Sequence, residues 1–156
     1  MKVEYIDDSL IDIFFNTCYF KDIDYKLKDN LISRIKELVN LVNERFRLGL
    51  KGFYKIKAYF NDYYGLYLNV VKIDDNDFNN QFEFRIVLCQ DSIFFLEFTD
   101  YDDIDNDVDK YFYNNCFYVL VDSIDKSIKY LDNCRVVFGD EASLIFNKSK
   151  IYKKRD

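Results

Sequence analysis

The chain has 156 residues, 49% hydrophobic and 19% aromatic, with no His, Pro or Trp and a formal net charge of -6. That length fits one domain with a sizeable core, while the acidic balance disfavours general binding to a phosphate backbone, which needs a surplus of Lys and Arg. Four scattered cysteines with no His and no Cys-x-x-Cys pair speak against a structural zinc site.

The start, MKVEYIDDSL, lacks an apolar signal core, and no run reaches membrane-spanning length. The expectation is a cytoplasmic protein with reduced, buried thiols, no cofactor and no membrane partner. MKVEYI reads as a short strand. Ser9 and Asp12 have the spacing of a helix-opening capping box, with Leu10, Ile13, Phe14 and Thr17 on one helical face. Leu27, Leu31, Ile35, Leu38, Val42 and Phe46 form the stripe of a long helix, started by Asp24 and ended by Gly49 and Gly52.

From Gly52 the period becomes two. GFYKIKAYF, GLYLNVVKI, FEFRIVLCQ and SIFFLEF predict four strands, and the short links between them predict an antiparallel meander. On the third, Arg85, Val87 and Cys89 face one way and Phe84, Ile86 and Leu88 the other. The fourth is apolar on both sides, which predicts cover on both faces or a central place. Beyond Asp100 the pattern weakens: FYVLV reads as a strand, Ile124, Ile128 and Leu131 as a helix from about Asp122, and RVVF and SLIF as short strands. The fold class is therefore α+β: an N-terminal strand and two helices, then an antiparallel four-stranded meander, with a C-terminal α/β extension. With no linker in view, residues 1–156 form a single domain in which 104–156 pack on 1–103. The bias towards Asn, Ile, Lys, Phe, Tyr and Asp matches an AT-rich genome, so part of the aromatic excess is compositional.

Charge is unevenly spread. Residues 21–57 hold ten Lys/Arg against five Asp/Glu, whereas TDYDDIDNDVD (99–109) holds six Asp and no cation. Asp103, Asp105, Asp107 and Asp109 alternate like the start of a calcium loop, but Val108 and Asn114 stand where Gly and Glu are required. Asp102, Asp103, Asp105, Asp107 and Asp109 are instead candidate partner-binding residues, since a dense carboxylate patch can occupy a surface built for phosphates. On this reading the protein is a non-enzymatic acidic inhibitor of a target protein, such as an immunity protein or a phage-encoded anti-defence protein.

MKVEYIDDSLIDIF, LGLKGFYKIKAYF and FRIVLCQDSIFFLEFTDYDD carry a resemblance to the RelE/ParE-type bacterial toxin family, over roughly residues 1–103. The resemblance implies a compact α+β domain with a curved antiparallel sheet. For many members it also implies mRNA cleavage on the ribosome, restrained by an antitoxin. Such a protein would be a metal-independent endoribonuclease of a toxin–antitoxin system, with Lys55, Lys57, Arg85 and Tyr101 at the positions that match the catalytic ones. Cutting RNA through its own 2′-OH requires a proton acceptor, charge stabilisation and a donor to the leaving oxygen. Without His, Glu83 or Glu97 would accept the proton. The plainer alternative makes Lys55 and Lys57 solvent-side strand residues and pairs Arg85 with Glu97 or Glu83. The chain departs from the family in its acidic charge, its Asp-rich run after Tyr101, a longer insertion at 62–81 and a C-terminal third without a counterpart.

Overall fold

The computed structural model describes residues 1–7, 9–73, 81–89, 92–130 and 134–152, the side chain of Ile128 excepted. Its contacts divide the chain into two compact units: Met1–Phe60 with Gly65–Cys89, and Asn61–Tyr64 with Gln90–Asp156.

The N-terminal unit is a five-stranded sheet with one long helix. Its strands are β1 (Lys2–Asp7), β2 (Leu10–Asn16), β3 (Gly52–Asn61), β4 (Gly65–Lys72) and β5 (Phe82–Cys89), in the order β1-β2-β4-β3-β5. The expected helical stripe is present in α1 (Lys28–Arg45), which buries Leu31, Ile35, Leu38, Val39 and Val42. These pack with Ile11, Ile13 and Phe15 of β2, Ile56 and Ala58 of β3, and Leu66, Leu68 and Val70 of β4. Each of the Val, Leu, Ile and Phe side chains, taken from water, contributes on the order of 1.5–3 kcal/mol. The helix closes as the Phe46 N–H donates to the Val42 carbonyl and the Arg47 N–H to the Glu44 carbonyl.

The second structural unit has its own sheet: β6 (Phe95–Phe98), β7 (Lys110–Tyr113), β8 (Cys116–Leu120), β9 (Arg135–Val137) and β10 (Lys150–Tyr152), in the order β10-β7-β8-β6-β9. All four pairings are antiparallel. β6 is flanked on both sides and buries Phe95, Leu96 and Phe98, as its doubly apolar sequence requires. The helices are α2 (Ile124–Lys129) and α3 (Gly139–Lys148). From α3, Ala142 and Ile145 pack with Phe95, Tyr118 and Val137 on one sheet face. Asn114 (φ 48°) and Asn115 (φ 64°) form the two-residue turn between β7 and β8. Positive φ at both positions gives the backbone twist that tight hairpins prefer.

The expected four-stranded meander behind two helices is overturned. Two five-stranded sheets stand in its place among the described residues, and one of the two helices is absent. Residues 10–16 form β2, with Ile11, Ile13 and Phe15 buried at a period of two. Ser9 does not cap a helix. Its N–H and hydroxyl both donate to the Asp7 carboxylate at 2.7 Å, organising the β1–β2 turn. The third and fourth predicted strands are not partners either: β5 runs parallel to β3, while β6 belongs to the other sheet. The SLIF segment lies within α3, where Ala142 and Ile145 are three residues apart on its buried side. The 90–92 turn and the 74–81 loop fall largely outside the described residues.

Candidate functional site

Strand alternation decides where the basic candidates lie. On β3, Tyr54, Ile56, Ala58 and Phe60 are buried, leaving Phe53, Lys55, Lys57 and Tyr59 on the opposite face. On β5 the exposed residues are Glu83, Arg85, Val87 and Cys89. The parallel register sets Lys55 beside Arg85, Lys57 beside Val87 and Phe53 beside Glu83. The three basic candidates thus share one face of the N-terminal unit. Among the described residues none of them makes an ion pair or a side-chain hydrogen bond. Adjacent like charges repel modestly on an exposed sheet face, so this pair is not explained by sheet stability.

Arg85 does not pair with Glu97, because Glu97 is occupied within the C-terminal unit. Register places Glu97 between Tyr118 and Arg135 in one cross-strand row. Tyr118 donates its hydroxyl to Glu97 at 2.8 Å, and Arg135 donates to both carboxylate oxygens at 3.0 and 2.7 Å. Arg135 also reaches Glu141 on α3, 2.7 Å away. These bonds, the Arg135 ones foremost, hold the Glu97 carboxyl below its usual range, whereas burial pushes the Tyr118 phenol well up. A carboxylate so held is a poor proton acceptor, and Glu97 is a structural residue.

The network predicts acid sensitivity. A carboxyl whose folded pKa is depressed stabilises the fold above its unfolded value, and that contribution is lost as pH falls through the folded one. Urea midpoints of wild type and Glu97→Gln should therefore differ most above the ordinary carboxyl value of 4.5. The gap should close as pH falls below that value and the folded-state carboxylate is protonated.

Tyr101 belongs to the C-terminal unit and to an aromatic cluster. It opens a short 3₁₀ turn, Tyr101–Asp103, and its ring packs edge-on against Phe117 and Tyr152 at centroid distances of 5.5 and 5.6 Å. Its hydroxyl is buried without a hydrogen-bond partner among the described residues. With Phe112, these rings line a groove of about 360 Å³. Lys110, 1% exposed, sets its Nζ 4.2 Å from the Tyr101 ring centroid and donates to the Asp105 carbonyl at 2.8 Å.

The acidic run begins at that wall. Asp100 accepts the Asp102 N–H at 3.0 Å and so shapes the turn. Asp105 pairs with Lys129, which holds its carboxyl below the usual range. Asp102, Asp103, Asp107 and Asp109 are exposed, and none makes an ion pair among the described residues. No group of three or more carboxylates or thiols converges among the described residues to hold a metal ion. The two units also differ in charge. The N-terminal one carries 13 Lys/Arg and 13 Asp/Glu, the C-terminal one 9 and 15. The whole net charge of -6 therefore sits on the unit that bears the groove.

Two further corrections concern cysteines and aromatics. Cys18 and Cys89 are exposed rather than buried, Cys89 because alternation turns it onto the Arg85 face. Cys134 is half-buried, and burial pushes its thiol up to about 11. Phe112, Phe117 and Tyr152, the groove's other walls, were hidden by the compositional excess of aromatics. The hairpin YFYNNCFY, with its Asn-Asn turn, was the signal that would have placed two of them. No described helix is long and apolar enough to cross a membrane. No family model, curated protein or solved structure matches this chain.

Proposed function

We propose that the protein is a non-catalytic acidic binder, which docks through residues 100–109 of its C-terminal unit onto a cationic surface of another protein. The observation that carries this reading is the placement of charge. All of the net -6 lies on one unit, where Asp102, Asp103, Asp107 and Asp109, exposed and without an ion pair among the described residues, belong to the run that contains Tyr101, one wall of an apolar groove. Such a field speeds encounter with a basic partner and rejects acidic ones, while the groove offers apolar area for lasting contact. The occupied Glu97 adds support, since it removes one of the two carboxylates available to an RNA-cutting mechanism.

Ionic strength tests the electrostatic basis. A labelled lysine-rich peptide titrated into the full-length protein should bind more weakly by about tenfold or more between roughly 0.03 and 0.3 M salt. Binding that ignores salt would remove the electrostatic basis of the reading. Arg85→Ala should leave the affinity within about twofold, because that cation belongs to the other unit and not to residues 100–109.

A second reading is favoured by the Lys55–Arg85 juxtaposition with Lys57 on the same face. Three cations there without an ion pair among the described residues suit a phosphate-bearing ligand, as in an RNA-acting toxin held by an antitoxin. Induced expression in a bacterial host separates the two readings. Translation arrest by the wild type, abolished in Arg85→Ala, supports the toxin; unimpaired growth with the wild type sinks it.

A further inference from the structure

We infer that the groove walled by Tyr101, Phe112, Phe117 and Tyr152 seats an arginine side chain of the basic partner, an inference that rests on the docking reading above. The walls among the described residues are all aromatic, which favours an occupant that is largely apolar or presents a flat face to the rings. A guanidinium meets that demand. It is planar and weakly hydrated, it stacks on aromatic faces, and its forked donors fit carboxylates.

The carboxylates are close by in the chain. Asp102 and Asp103 follow Tyr101 in the same short turn, both exposed and both without an ion pair among the described residues. One of these rings already faces a cation, since the Lys110 ammonium lies over Tyr101. The charge of Lys110 is turned inward, where the Asp105 carbonyl accepts its hydrogen bond. Lys150, in register with Phe112 and exposed, opposes an incoming cation. Among the described residues, the exposed Asp102, Asp103, Asp107 and Asp109 of the same unit outnumber it. A lysine in the groove would keep the charge but lose the stacking and the fork; a neutral aliphatic chain would lose the attraction.

The test uses three labelled peptides in one lysine-containing background, carrying Arg, Lys or norleucine at a single central position. Each is titrated into the full-length protein at low salt. The arginine peptide should bind about threefold or more tighter than the lysine peptide, with norleucine weakest. Tyr152→Ala, at a residue 54% exposed, should erase the preference, and Tyr152→Phe should keep it. The inference is overturned if arginine and lysine bind the wild type equally, if norleucine binds tightest, or if the preference survives Tyr152→Ala. In each of those cases, binding that weakens with salt leaves the docking reading in place. If none of the peptides binds, both fall.

Discussion

Gly65→Ala should disrupt the N-terminal sheet and lower stability by about 3 kcal/mol or more, read as a shift in the urea unfolding midpoint. Gly65 begins β4 opposite Asn16 at the end of β2. Its φ of +127° lies in a region that side chains rarely adopt, and an added Cβ would sit 2.2 Å from the Phe15 carbonyl oxygen and 2.9 Å from the Asn16 Cα. Both neighbours are backbone, so neither can rotate away. Strain and overlap each cost about 1–3 kcal/mol, and here they add. Gly49 is the built-in control. Its φ is +63° but nothing lies within 4 Å of its added Cβ, so Gly49→Ala meets only the left-handed penalty of about 1–2 kcal/mol. Equal losses from the two substitutions would contradict the close approach of β2 and β4.

Phe95→Ala should have the largest effect on the C-terminal unit, about 3–5 kcal/mol. The side chain is 0% exposed, packs edge-on against Tyr111 at 5.3 Å and Tyr118 at 6.2 Å, and clusters with Val137, Ala142 and Ile145. Removing it empties the space between α3 and the sheet, which rigid strands on either side of β6 cannot close. Tyr152→Ala, at a half-exposed position with edge-on contacts to Tyr101 and Phe117, should cost only about 1–2 kcal/mol. That contrast lets the groove be altered without unfolding the unit that carries it.

Where a single period governed a segment, the sequence could be read. The α1 stripe from Leu31 to Val42 has no competing pattern, and the alternation in GFYKIKAYF placed Lys55 and Lys57 together on one face. β2 was misread because LIDIFFN fits both periods: Leu10, Ile13 and Phe14 satisfy a helix, while Ile11, Ile13 and Phe15 satisfy a strand. Tertiary burial against α1 chose the strand. Topology was beyond local reading, since no property of FEFRIVLC says that it pairs with β3 on the side away from β4. The candidate site divides in the same manner. The acidic run was plain, but its apolar neighbour was not. The groove draws on the 3₁₀ turn, β7, β8 and β10, and only the sheet order β10-β7-β8 brings Tyr152 to Phe112 and Phe117. Arg85 looked like a partner for Glu97 until the row Tyr118–Glu97–Arg135 filled that carboxylate.

The most direct measurement compares two variants with the same net charge. One carries Asp→Asn at 102, 103, 107 and 109; the other neutralises the exposed Asp29, Glu44, Asp125 and Asp140 as amides. Both are titrated with the lysine-rich peptide alongside the wild type. If residues 100–109 are the docking surface, the first loses affinity by about tenfold or more and the second by no more than about threefold. Equal losses in the two variants would mean that only total charge matters, and the docking surface assigned to residues 100–109 would be wrong.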